Sequence, residues 1–441
     1  MLNCSSLSRP CRALMAGLVI GLAPGAVPWS APWSAPGSAA FAGSFEASYE
    51  LVVDTTGDLD TLGASRSGTV ISPSINDVGQ VAFLGVQNIP DTRGGGIIGH
   101  IPGIYRAEPS GGITTIFEEG MFDNMRMERS SGFWPDPSIN HGGQVSFGLN
   151  GLAATSGREG ITGTTFSQDA RVIFVGNGTE TAPEDYTLID QFPFSSGSVG
   201  RFLGIFTSIN DSGLVAYGSD VAVYTSDGTA RQTIKTFDID LRFNSGFLPV
   251  LNNVGEVIYR RLDVNIVDHV LIRNNGGSET ELIGEVLATG GYDLNNNGVA
   301  AIRDAIGFKV GDGTSQWDIQ IGDGELPQWL SMNDDNEILY TSSQGSTSLT
   351  PRSLYFYDGQ DHNLLLQPGD ILNGMTVESV SNVGNESLSN RQFAVGVVLL
   401  DDQGRQVDAI FRGQISQVPE PSGLALIALG TLAVLRRRKQ A

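Results

Sequence analysis

One short phrase returns along most of this chain, and a chain that repeats itself at such intervals is confined to repeat-built architectures. Its first copy is Ile75-Asn76-Asp77-Val78-Gly79-Gln80-Val81-Ala82-Phe83. The asparagine recurs as Asn140, Asn210, Asn252, Asn295 and Asn333. A seventh copy, Leu388-Ser389-Asn390-Arg391-Gln392-Phe393-Ala394-Val395, is one residue shorter and has Ser389 in the asparagine's place. The clearest copies read Asn-x-x-Gly-x-x-Ala-Phe. An apolar residue ends one strand, and asparagine opens a tight turn by bonding its own backbone. The fourth position requires positive φ, which glycine adopts without steric cost. In the sixth copy Asn336 stands there, the next most tolerant residue type. A short alternating strand follows, with Val81 and Phe83 on one face and Ala82 on the other. Gly79, Gly143, Gly213 and Gly255 are therefore expected at positive φ. Phe83, Phe147, Tyr217, Tyr259 and Tyr340 are expected in the packing between units.

Further strand signals trail each phrase: Gly103-Ile104-Tyr105-Arg106, Val223-Tyr224-Thr225, Leu271-Ile272-Arg273, Leu354-Tyr355-Phe356-Tyr357 and Ala409-Ile410-Phe411-Arg412. Gly284-Glu285, Gly322-Asp323 and Gly369-Asp370 read as loops closing their units. Each unit thus holds about four short strands joined by tight turns. No long amphipathic helix is visible between Ser44 and Gln417. Successive phrases lie 64, 70, 42, 43, 38 and 56 residues apart, which brackets the ~40–50 residues of propeller repeats with insertions in the first two units. The expectation is an all-β fold, a β-propeller of six or seven four-stranded blades, over residues 43–417. A sandwich needs only about seven to nine strands, and solenoid repeats are shorter and more regular.

The ends of the sequence differ from this middle. Residues 43–417 hold 47 of the 48 acidic residues and 20 of the 26 basic ones, a formal charge of −27 against −22 for the whole chain. Such a surface repels nucleic acid. Residues 1–42 read as a signal peptide: Arg9 and Arg12, an apolar stretch from Ala13 to Ala23, then a Pro/Ser/Trp-rich segment and a small-x-small cleavage site at Ala40-Phe41-Ala42. Both cysteines, Cys4 and Cys11, precede the apolar stretch. The mature chain would therefore have no disulfide, thiolate metal site or thiol nucleophile. Residues 418–441 combine Val418-Pro419-Glu420-Pro421, an apolar run from Gly423 to Leu435, and Arg436-Arg437-Arg438-Lys439. Proline breaks regular structure, the run of 13 residues is expected as a transmembrane helix about 20 Å long, and the basic cluster stays on the cytoplasmic side.

That order resembles the PEP-CTERM sorting signal of Gram-negative bacteria, with Pro419, Glu420, Pro421, Arg436, Arg437 and Arg438 as the motif residues. The resemblance implies secretion across the inner membrane, transient membrane attachment through the C-terminal helix, and an exosortase-type protease as partner. The repeat phrase is similar to the tandem-repeat surface proteins that combine it with interchangeable C-terminal anchors. That family implies display at the envelope, the cell surface or the extracellular matrix, and supplies no catalytic residues to carry over.

Residues that could carry chemistry are few. Asp293-Leu294-Asn295-Asn296-Asn297-Gly298 fits the start of a calcium loop, with Asp304 at the twelfth position. Asp293, Asn295, Asn297 and Asp304 are thus the candidate calcium ligands, although the turn already explains the asparagines and the glycine. The four histidines, His100, His141, His269 and His362, show no paired spacing. No nucleophile elbow, Walker loop or dinucleotide fingerprint occurs, so no catalytic or cofactor-binding residue is expected. Trp134, Trp317 and Trp329 could stack on sugar rings, but packing in the blade cores is the favoured reading. The reading is a non-catalytic binder of exopolysaccharide or surface proteins. The alternative is an extracellular propeller enzyme acting on polysaccharide, which two or more carboxylates with an aromatic at one channel mouth would favour.

Overall fold

The computed structural model describes residues 45–418, except segments 63–71, 91–96, 122–124, 127–135, 152–169, 194–205, 219–221, 238–247, 263–268, 287–290, 323–324 and 345–350 and positions 58, 60, 120 and 382. Seven antiparallel sheets follow one another along the chain, and their innermost strands neighbour each other in a closed ring. The fold is a seven-bladed β-propeller of four-stranded blades, at the upper count expected. Blade 3 is representative: Thr207–Ile209, Val215–Gly218, Ala222–Ser226 and Arg231–Thr236 pair in chain order from the axis outward. Among the described residues the sole helical element is the short 3-10 turn Pro183–Asp185.

The phrase joins the innermost strand of each blade to the second. Ile75 pairs with Val81, Asn76 N donates to Gln80 O at 3.1 Å, and Gly79 N donates to Asn76 O at 3.0 Å. This is a three-residue hairpin loop ending on a left-handed residue. Gly79, Gly143, Gly213 and Gly255 have φ of 83°, 75°, 81° and 87°, and Asn336 has 61°. The short seventh copy uses a different turn. Ser389 pairs directly with Gln392, and both central residues, Asn390 at 47° and Arg391 at 63°, are left-handed. Two such residues make the type I′ turn, which removes one residue without breaking the hairpin.

The alternation after the turn packs one blade against the next. Val81 and Phe83 lie in a cluster with Ala394 and Ile410 of blade 7, whereas Ala82 faces the other way, against Ile139, Val145 and Phe147 of blade 2. The same order recurs where Ala216 meets Tyr259 and where Ala301 meets Tyr340. A small residue on one face leaves room for the next blade's ring, so the Ala-Phe pair of the phrase is one device seen from two blades. All five expected rings are buried, none more than 1% exposed. Gly284-Glu285 differs from its sequence reading. It lies inside the outermost strand of blade 4, Glu279–Val286, and closes no loop.

Blade 7 is built from both ends of the described chain. Its second and third strands, Gln392–Leu400 and Gln406–Gln417, come from the C-terminal side. Its outermost strand, Phe45–Asp54, comes from the N-terminal side and runs antiparallel to Gln406–Gln417, with Phe45 opposite Gln417. Tyr49 packs edge-on against Phe393 and donates its hydroxyl to Leu365 O at 2.9 Å. The ring is thus closed by hydrogen bonds between segments more than 350 residues apart in sequence.

Candidate functional site

Every innermost strand brings the same three positions to the propeller axis, and these build the walls of the central channel. The first is the phrase asparagine. Asn76 Oδ1 accepts from Gln80 N at 2.8 Å, the turn bond expected from sequence, while its Nδ2 donates to Asn140 O of the next blade at 2.9 Å. Asn140, Asn210, Asn252 and Asn295 repeat the second bond onto Asn210, Asn252, Asn295 and Asn333 at 3.1–3.3 Å. The asparagine therefore caps its own turn and staples its blade to the next, because its amide carries an acceptor and a donor on separate atoms.

The second position lies two residues earlier: Ser74, Ser138, Ser208, Val250, Asp293 and Ser331. Ile139, Ile209 and Leu251 donate their backbone N–H to the serine hydroxyl of the preceding blade, at 3.3, 2.9 and 3.1 Å. Leu388 does the same to Ser331 at 3.1 Å, and Met332 to Asp293 Oδ2 at 2.8 Å. Val250 cannot accept. The N–H left over in blade 5, that of Leu294, goes to Asp293 Oδ1 at 2.8 Å. Asp293 thus makes up for the valine with its second oxygen.

The third position follows the asparagine and rings the channel mouth with Asp77, His141, Asp211, Asn253, Asn296 and Asp334. Here too each blade holds the next: the N–H of His141, Asp211, Asn253 and Asn296 donates to the side chain of Asp211, Asn253, Asn296 and Asp334 at 2.7–3.0 Å. Asp77 holds His141 Nδ1 and pushes its pKa up.

Glu386 closes the channel between its two ends. One carboxyl oxygen accepts from Ser74 Oγ at 2.9 Å and from Ser138 Oγ, and the other from Ser208 Oγ at 2.9 Å. Burial raises its pKa against the lowering effect of those hydroxyls. Asp293 is raised well above the ordinary carboxylate range, by burial first and also by the charge of Glu386. On the mouth side of Glu386 lies a cavity of about 330 Å³. On the far side a smaller one of about 50 Å³ is lined by Asp136, Phe206, Pro249 and Trp329 with Glu386 as its floor. Burial of the Asp136 carboxyl pushes its pKa up to about 7.

The candidate calcium ligands have separate partners. Asp293 is held by Ser331, Leu294 and Met332 inside the channel. Asn295 donates to Asn333 O and Asn336 Oδ1, and Asn297 to Asp334 O at 2.7 Å. Asp304 ends the following strand, three residues beyond Ala301, the register partner of Asp293, and lies 4.0 Å from Lys309 Nζ. His362 is tied to Tyr340 and Gln320 O, and burial lowers its pKa. Trp317 is 40% exposed on an outermost strand, and Trp329 packs against the cluster shared by blades 6 and 7 while lining the far cavity. Trp134, Ala40, Ala42, Pro419, Glu420, Pro421 and Arg436 to Arg438 lie outside the described residues, as do the side chains of His100 and His269. Among the described residues no helix is long and apolar enough to cross a membrane.

The residues that sequence reading missed are the serines two positions before the asparagine, Asp136 and Glu386. A small polar residue at that offset in most copies was the available signal for the serines. Asp136 and Glu386 carry no such pattern.

The last described strand ends at Gln417, where a known motif begins. Residues 417–439 match the PEP-CTERM protein-sorting motif. PEP-CTERM marks an exported protein of the cell envelope or surface of a Gram-negative-type bacterium, processed by an exosortase-type enzyme. No curated protein matches the chain. Among solved structures the chain is similar to the gluconolactonase XC5397 of Xanthomonas campestris, at 11% identity over 67% of this chain and 96% of that one, with a TM-score of 0.31. The polysaccharide lyase Uly1 is 8% identical over 80% and 90% of the two chains, with a TM-score of 0.43. The parainfluenza virus 5 hemagglutinin-neuraminidase ectodomain is 9% identical over 84% and 85%, with a TM-score of 0.35. These scores are too low for any activity to be carried across.

Proposed function

We propose that this protein is a non-catalytic repeat protein, anchored at the surface or released into the matrix, that binds envelope or exopolysaccharide components. The carrying observation is the commitment of the axis. Glu386, the carboxylate at its centre, has both oxygens occupied by Ser74, Ser138 and Ser208. The asparagine and serine rings around it are likewise bonded from blade to blade. Polar groups held in this way fix a rigid ring and are not free to meet a substrate. Binding then falls to the variable connections that the ring supports. Purified protein of residues 43–417 should co-sediment with the polysaccharide of its own host and leave it uncut.

The second reading, an enzyme acting on polysaccharide, is favoured by one feature. Asp136, Glu386 and Trp329 meet at one end of the channel, and a carboxyl titrating near 7 suits acid–base work at neutral pH. Reducing ends that accumulate with time, and vanish in Asp136→Asn while binding persists, would establish it in place of the first.

A further inference from the structure

We infer that the sorting tail holds the mouth face of the propeller toward the membrane, and that the opposite face, carrying the Asp136 cavity, is the one presented to partners. This rests on the reading of residues 418–441 as a membrane tag. Strand Gln406–Gln417 runs toward the mouth: Gln414 pairs with Gln392, the residue after the Asn390-Arg391 turn, and Ile415 N donates to Arg391 O at 2.9 Å. Phe45, opposite Gln417, enters at the same place. In the other six blades a connection joins the third strand to the fourth on this face, a tight turn such as Asp227-Gly228-Thr229 in blade 3 or, in blade 2, residues 177–186 with the 3-10 turn. In blade 7 the two ends of the described chain stand where that turn would be.

The tether is shorter than the propeller is tall. Val418 to Ser422, five residues with two prolines, separate Gln417 from the apolar run at Gly423. Fully extended they reach at most about 18 Å. Strand Gln392–Leu400 alone rises about 30 Å from the mouth face to the other. To turn the far face to the bilayer the tether would have to run back along a blade, and it is too short. Asp77, Asp211 and Asp334 repel an anionic leaflet over a Debye length of about 8 Å, which the tether spans. The two faces also differ in build. The phrase turns of the mouth face are five residues or fewer between paired positions. Second and third strands, whose facing ends lie on the other side, are separated in sequence by as few as 2 residues, in blade 5, and as many as 18, in blade 2. The face turned outward is therefore the one where the sequence varies in length from blade to blade.

The full chain, made in a host without exosortase and inserted in phosphatidylcholine–phosphatidylglycerol vesicles with an acceptor fluorophore on the headgroups, tests this. With Cys4 and Cys11 replaced by serine, single labels go to Val78→Cys and Val254→Cys on the mouth face, and to Gln403→Cys and Ile306→Cys on the far face. All four positions are exposed turn residues. Energy transfer to the headgroups should be stronger from both mouth labels than from both far labels. Transfer that sorts by blade, with Val78 and Gln403 together above Val254 and Ile306, means the ring stands on edge and overturns the inference. Stronger transfer from the far labels overturns it as well. Protein that fails to float with the vesicles removes the membrane-tag reading itself, and the orientation with it.

Discussion

At the scale of single residues, the phrase asparagine does two jobs, and only one of them is written in its neighbourhood. The turn bond is local and was legible from Asn-x-x-Gly. The staple to the next blade depends on a carbonyl about 40 to 70 residues away, which no local pattern announces. Asn252→Ala should therefore cost more than a surface turn substitution, about 2–3 kcal/mol in denaturant unfolding. A buried acceptor, Asn295 O, and the N–H of Glu256 both lose their partner. A loss under about 0.5 kcal/mol would mean that the staple contributes nothing. The arginines of the third strands were read only as strand signals. Arg273 Nη1 donates to Gly298 O of the next blade at 2.9 Å, and Arg412 Nη1 to Gly79 O at 2.7 Å, so they seal the turns from behind. Arg391 goes the other way, bidentate on the buried carboxylate of Glu337. The buried acids set a pH dependence of definite sign. Glu386 and Asp293 have pKa values raised by burial, so folding favours their protonated forms. The stability they confer is complete below the ordinary carboxylate range and is lost as pH rises through the raised values. Asp136, at about 7, places the upper edge of its own window near neutrality. Glu386→Gln should raise the melting temperature at pH 8 and leave it nearly unchanged at pH 4, provided the serines keep their bonds to the amide. A larger deficit at pH 8 than at pH 4 would reverse the assignment.

At the scale of the element, turn chemistry made the hairpins readable and the closing strand invisible. Glycine or asparagine at the left-handed position fixes each turn from within, because few residues tolerate that backbone. Gly213 is the cleanest test. At φ 81° the nearest atom to an added Cβ is Gln144 Oε1 at 3.8 Å, an ordinary contact. Gly213→Val should therefore pay for backbone strain alone, about 1–3 kcal/mol, while Gly213→Asn should recover most of it. Equal losses in both would locate the cost in packing. The strand Phe45–Asp54 alternates as any strand does, and nothing in it names Gln406–Gln417 as its partner, since that pairing is made across the whole chain. Its contribution is nonetheless structural: Ala47, Tyr49 and Leu51 pack on the cluster around Phe393 and Phe411, and Glu50 meets Arg412 at 2.6 Å. Protein starting at Thr55 should lose the last blade's cover and its closure. We expect a lowered melting temperature and a broadened transition, and the peptide Phe45–Asp54 added in excess should partly restore both. An unchanged transition in the shortened protein would show that the ring closes without this strand.

At the scale of the whole molecule, the all-β class and the propeller were legible because each phrase is one blade, so counting phrases counts blades up to the short seventh copy. The site was not legible. Glu386 belongs to no phrase, and Asp136 lies in an insertion before the innermost strand of blade 2, so neither shares a periodic signal. They meet only because the ring closes. The same closure separates the folded body from its tag. Gln417 is the last residue of the last strand, and Phe45 holds it there. The PEP-CTERM match starts at that residue, so the motif's remaining residues follow the last strand and none is needed to pair it. Cleavage is therefore predicted near Pro421 in an exosortase-bearing host, and it should cost the fold nothing. Intact-mass measurement of the exported protein should find a C-terminus within a few residues of Pro421. The released protein should melt at the same temperature as the full chain in detergent. Full-length mass on all exported protein in such a host would refute the cleavage. A released protein that melts several degrees lower would show that the propeller extends into the tail.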